Sequence, residues 1–129
     1  MKIEFTEKFK IPSSTPQQRK LGGGNTHPTA GLKLARASWQ ALLEKHKPVW
    51  PMTGPVQLLV LLYYHSKEHV LYPKTTRPDG DNLLKIIKDA ATKAGWWKDD
   101  NLVYDEHIIR HYIGDEDMVS ITAKEADVD

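Results

Sequence analysis

The chain contains no cysteine in its 129 residues. Disulfides, thiolate metal sites and a cysteine nucleophile are thereby excluded, and a reducing compartment is the expected setting. No apolar run reaches the ~18 residues that a membrane span requires. The first residues, MKIEFTEKFK, lack the apolar stretch of a secretory signal, so a cytoplasmic protein without a membrane partner is expected. Net charge is almost absent, at +1, and internal repeats are not found. The small net charge conceals a split: residues 1–77 hold 12 Lys and Arg against 4 Asp and Glu, residues 78–129 hold 6 against 13, and the halves carry +8 and −7. Such segregation suits a basic surface for a polyanion beside an acidic cluster that a cation neutralises. A fold that intermixes the halves into a mosaic surface accounts for it at least as well.

The length fits one domain over residues 1–129 with a real core. Residues 2–11 alternate, with Ile3, Phe5, Phe9 and Ile11 on one side, as in a strand with one wet face. Residues 12–31, rich in Pro, Ser, Thr and Gly, form a long flexible loop that also carries Arg19, Lys20 and His27. Helical spacing returns over 32–46, where Leu32, Ala35, Trp39, Leu42, Leu43 and His46 make one stripe. VQLLVLLYY at 56–64, bounded by Gly54-Pro55, predicts a central strand buried on both faces. A second helix is expected over 82–94, capped by Asp79 or Asp81 after Pro78 and ended by Gly95. Residues 102–113 and 117–124 read as strands joined in a hairpin at GDED, with 124–129 an acidic tail. The expectation is an α/β domain of the α+β type, in the order β-loop-α-β-α-β-β, with a mixed sheet flanked by two main helices.

RPDGDNLLKIIKDAATKAGWWKDD, at 77–100, places Asp79 and Asp81 at one end of the second helix and Asp99 and Asp100 beyond the other. Gly80 permits unusual backbone angles between the first two acids, and a strand running back along the helix would bring one of the second pair round. Converging carboxylates repel unless a divalent cation with hard oxygen ligands, such as Mg²⁺, joins them. Lys85 lies on the face of Asp81 one turn on, where it would hold a phosphate. That set suits phosphodiester hydrolysis. The plainer account is a capping Asp and an i,i+4 ion pair of Lys85 with Asp81 or Asp89, although capping needs only one Asp. A calcium loop of the EF-hand type fails, because counting from Asp79 puts Leu84 at the glycine position and Ala90 at the bidentate glutamate. Trp96 and Trp97 read as core rather than base-stacking residues. His107 and His111 lie four apart in a strand, too far to share a metal.

DNLLKIIKDAATKAGWWKDDNLV, with the preceding RPDG and with THPTAG at 26–31, resembles the RusA family of Holliday junction resolvases, in which a D-x-D-N-x-x-K helix is followed by a G-x-W-x-D-D turn. The resemblance implies that Asp79, Asp81 and Asp100 form a Mg²⁺ site, with Mn²⁺ able to substitute, and that Lys85 is the essential basic residue. It also implies a homodimer, of bacterial or phage origin, that binds four-way DNA and nicks two strands symmetrically. Gly80 departs from the aliphatic residue, and Leu102 from the polar one, that many relatives carry. Arg19, Lys20, His27, Lys33, Arg36, Lys74 and Arg77 are candidates for contacts to the DNA backbone. The competing expectations are a junction-binding protein that does not cut and a nuclease for other branched substrates.

Overall fold

The computed structural model describes residues 1–15, 29–68 and 71–126. Arg19, Lys20 and His27 lie outside them. In chain order the elements are β1 (Lys2–Lys8), α1 (Ala30–Glu44), β2 (Val56–His65), β3 (Tyr72–Pro73), α2 (Gly80–Ala94), a 3₁₀ turn (Asp100–Leu102), β4 (Val103–Ile113) and β5 (Met118–Glu125). The mixed sheet and two helices match the expected α+β class, with β3 and the 3₁₀ turn added.

The sheet runs β1-β5-β2-β4-β3. Neighbours are antiparallel except β2 and β4, which are parallel and pair from Val56↔Val103 to His65↔Ile113. The β4–β5 hairpin expected at GDED is therefore wrong, because β2 lies between the two strands. The link instead crosses the end of β2 and is fixed there by Asp117. One of its carboxylate oxygens accepts from the His65 amide at 2.6 Å, and the other from Ile11 at 2.9 Å. An acid that read as turn chemistry thus ties three chain segments.

β2 is not buried on both faces. Val56, Leu58, Val60 and Leu62 are buried, whereas Gln57 is exposed and Leu59, Leu61 and Tyr63 are half-buried. Both helices cover the first face, so the four aliphatic side chains each contribute roughly 1.5–3 kcal/mol of burial there and the opposite face stays open. From α1 come Ala35, Trp39, Leu42 and Leu43; from α2 come Leu83, Leu84, Ile86, Ile87, Ala90, Ala91 and Ala94. His46, just past α1, stacks on Phe5 at 3.7 Å and bonds Glu7 at 2.6 Å. Hydrogen bonds from Lys45 and then His46 hold the Glu7 carboxyl below the usual carboxylate range.

Lys124 and Glu125 are strand residues rather than tail, and Asp127 and Asp129 lie outside the described residues. The Glu125 carboxylate accepts from the amides of Thr53 at 2.9 Å and Gly54 at 2.8 Å, the Gly54 bond being the main reason its pKa is lowered. Among the described residues no helix is long and apolar enough to cross a membrane.

Candidate active site

The N-terminal end of α2 is built by local chemistry. Pro78 follows a cis peptide bond to Arg77, and Asp79 adopts the extended backbone of a helix cap, its Oδ1 accepting from the Asn82 amide at 2.9 Å. One of the four unpaired amides of the first turn is thereby satisfied. Of the two acids expected to cap α2, Asp79 does so. That leaves Asp81 exposed in the first turn, where the helix dipole favours negative charge. Gly80 is helical with no positive φ, so backbone freedom is not its role. A Cβ there would meet Ile108 Cγ2 of β4 at 3.1 Å, and the departure to glycine allows the helix to seat closely on that strand.

Lys85 is exposed one turn beyond Asp81. The side chains of Lys85, Asp81 and Asp100 form no hydrogen bond and no ion pair among the described residues. The i,i+4 pairing that would have explained Lys85 structurally is not formed. The neighbouring Lys88 is engaged instead, bonding Glu106 of β4 at 2.8 Å.

Asp100 stands elsewhere. Gly95 ends α2 in the left-handed conformation at φ 88°, and Trp96 and Trp97 fold into the core, each 1% exposed. Their ring nitrogens donate to the Leu43 carbonyl at 2.8 Å and to Thr92 Oγ1 at 2.7 Å. Asp99 then caps the 3₁₀ turn through Asn101, and Asp100 opens that turn, half-buried. The returning strand starts only at Val103 and passes the start of α2 as late as Ile108 and Arg110. The 15 residues of α2, roughly 22 Å long, therefore separate Asp100 from Asp79 and Asp81. The expected convergence of all three within one chain does not occur, and among the described residues no three acidic or histidine side chains are grouped to hold a metal.

Of the remaining basic candidates, Lys33 and Arg77 are exposed and Arg36 is half-buried. Lys74 turns inward. Its ammonium donates to Thr76 Oγ1, to the Arg77 carbonyl at 3.2 Å and to the Thr76 carbonyl at 3.5 Å. It also lies over the rings of Tyr64 at 4.9 Å and Tyr112 at 5.6 Å. Burial pushes the Tyr64 phenol up to about 12, and its hydroxyl has no partner among the described residues.

Arg110 escaped the sequence reading. Its Nη1 donates to the Pro78 carbonyl at 2.6 Å and to the Thr76 carbonyl at 3.0 Å, directly before the acids. A signal existed in the alternation of β4, which gives Arg110 the parity of Ile108 and Tyr112 and so the helix-bearing face.

The family model for endodeoxyribonuclease RusA matches residues 9–124. The chain belongs to the RusA family. Its curated relatives include a crossover junction endodeoxyribonuclease from Lactococcus phage r1t, 28% identical over 109 residues that cover 80% of this chain and 83% of that protein. A RusA of the same description from Escherichia coli is 40% identical over 99 residues, 77% of this chain and 76% of its own. The RusA match spans both ends of α2, and thus every described candidate residue.

Two of the acids suit the implied Mg²⁺ by their own chemistry. Asp81 has both carboxylate oxygens uncommitted among the described residues and Asp79 has one, and Mg²⁺ is commonly held by one or two carboxylates together with substrate phosphate.

Proposed function

We propose that this protein is a Mg²⁺-dependent endonuclease that resolves four-way DNA junctions by paired nicks, acting as a homodimer in the cytoplasm of a bacterium. The observation that carries the reading is the start of α2, where Asp81 and Lys85 stand exposed and unpaired among the described residues, inside a match to an endodeoxyribonuclease family. Charges that serve the fold are paired in this chain, as Lys88, Glu125 and Asp117 show. Charges left facing solvent on a capped, well-seated helix are available to a substrate.

Asp79 and Asp81 would hold the ion, and Asp100 of a second copy would complete the set, since α2 keeps it from doing so in its own chain. When bound, the ion supplies positive charge to the phosphate and lowers the pKa of water. The protein's part is placement. Lys85, one turn from Asp81, offsets the negative charge that grows on the phosphate as water oxygen adds to phosphorus and the bond to one strand end breaks. The exposed Arg77 approaches the flanking backbone, while α1 contributes Lys33 and Arg36. Two such sites related by a two-fold axis match a junction whose arms are themselves two-fold related, which is the reason for symmetric cuts.

The test is cleavage of a synthetic four-way junction beside linear duplex, in Mg²⁺ or EDTA, by wild type and Asp81→Asn. Paired nicks confined to the junction and lost with EDTA and with the variant are expected. Junction binding without cutting in any divalent ion would replace the reading with that of a binding protein.

A further inference from the structure

We propose that Arg110 is a positioning residue of this active site, its guanidinium fixing the Thr76–Pro78 backbone so that Asp79 and Asp81 hold one orientation toward the phosphodiester. The inference rests on the nuclease reading above and names a residue that acts through the two acids rather than on the substrate.

The segment before α2 has no regular secondary structure from Lys74 to Asp79, and Pro78 has no amide hydrogen with which to be held. The Lys74 amide donates to the Arg110 carbonyl at 3.0 Å and the Thr76 hydroxyl lies 3.3 Å from that of Tyr112; nearer the acids, it is the carbonyls that are anchored. Arg110 takes those of Thr76 and Pro78 through one nitrogen, and Lys74 takes those of Thr76 and Arg77. Three successive carbonyls are thus fixed by two cations, immediately ahead of the cap residue. On the other side of Asp79, Gly80 is seated on Ile108, two residues before Arg110 in the same strand. β4 therefore grips the chain on both flanks of Asp79, and Asp81 follows one residue later.

Arg110 is half-buried and has no carboxylate partner among the described residues. A partly desolvated guanidinium balanced only by carbonyl dipoles is a costly way to fasten a loop for stability alone. It is an effective way to fix a geometry, because a charged, planar donor makes shorter and more directional bonds than a neutral side chain. Displacement of a reacting group by about 1 Å lowers a rate by about 10²-fold, so the cost of loosening this segment falls on catalysis.

The experiment compares wild type and Arg110→Gln in two ways. The Asn82 amide donates to the Asp79 side chain and the Leu83 amide to its carbonyl at 3.2 Å, so their hydrogen exchange, read by NMR without DNA or metal, reports directly on the cap. In Arg110→Gln both are expected to exchange about tenfold faster or more, while Ala90 and Ala91 in the second half of α2 keep wild-type protection. Junction cleavage is expected to show kcat lowered about 10- to 100-fold with KM for the junction within about threefold. Arg110→Lys, whose ammonium can also donate to two carbonyls, restores part of both.

Unchanged exchange at Asn82 in the folded variant overturns the proposal. So does acceleration shared equally by Ala90 and Ala91, which would make Arg110 a residue of general stability. If Arg110→Gln does not fold, Arg110→Met keeps the apolar stem and carries the same measurements; failure of both to fold also overturns it. A wild type that cuts no branched DNA removes the nuclease reading and the catalytic half of the proposal. Failure of the exchange result alone leaves that reading standing.

Discussion

At its N-terminal end α2 is held by charge and hydrogen bonds: the Asp79 cap, the Arg110 guanidinium on two carbonyls, the Lys74 ammonium between two tyrosine rings. At its C-terminal end it is held by indole rings, with Trp96 and Trp97 in near-perpendicular contact at 6.1 Å and almost fully buried. Each end carries an unpaired carboxylate among the described residues, Asp81 at the first and Asp100 at the second. The difference teaches that the segment ahead of α2 is positioned by polar bonds that can be cut one at a time, whereas the indole end cannot move without opening the core. Each end should supply one acid to the activity, the indole end should carry more of the stability, and the two acids should meet only between chains.

The largest expected effect breaks the comparison across a dimer. Asp81→Asn and Asp100→Asn are each expected to lower junction nicking by about 10³-fold, the loss of several kcal/mol of charge stabilisation. Mixed in equal amounts and allowed to exchange subunits, they should recover about one quarter of wild-type nicking, since each mixed dimer has one intact site of two. Sites lying wholly within one chain would give no recovery. A gel of single against paired nicks reads the result.

Next in size is Trp96→Ala at the indole end. It removes a fully buried ring and its bond to the Leu43 carbonyl, and should cost about 3–5 kcal/mol of stability. Urea unfolding followed by fluorescence checks this.

The smallest effect belongs to Tyr64 at the polar end. Its phenol is raised from 10.0 to about 12 by burial, so the folded chain favours the neutral form. A raised pKa gives stability that is present in full below the unfolded value and lost as pH rises toward the folded one. Unfolding midpoints should therefore fall between pH 10.0 and about 12, and less steeply in Tyr64→Phe. Equal slopes would mean that the phenol ionises as readily in the folded chain as in the unfolded one, so that burial does not hold it neutral.

The second helix was legible because its signals are local. Pro78, the Asp cap, the apolar spacing of Leu83, Ile87, Ala90 and Ala94, and Gly95 all act within a few residues, and each has its expected place. The tryptophans were legible as core for the same reason, one following the glycine that ends the helix. The hairpin at GDED was misread because adjacency in sequence favours pairing, whereas β2, with its run of aliphatic residues, takes the centre and separates β4 from β5. Nothing near Asp117 announces that its carboxylate reaches the amide of Ile11, past β1, and that of His65 at the end of β2.

The sequence by itself determined the charges of the site, the helix that carries Asp79, Asp81 and Lys85, and the family, because cap, spacing and motif are short-range properties of the chain. Tertiary structure alone decided that Asp100 does not join the first pair within the chain, that Lys74 faces inward, and that Arg110 bonds the carbonyls just ahead of that pair. Those follow from strand order and from the length of a rigid helix, and both are set by which faces are buried across the whole chain rather than by any residue's neighbours.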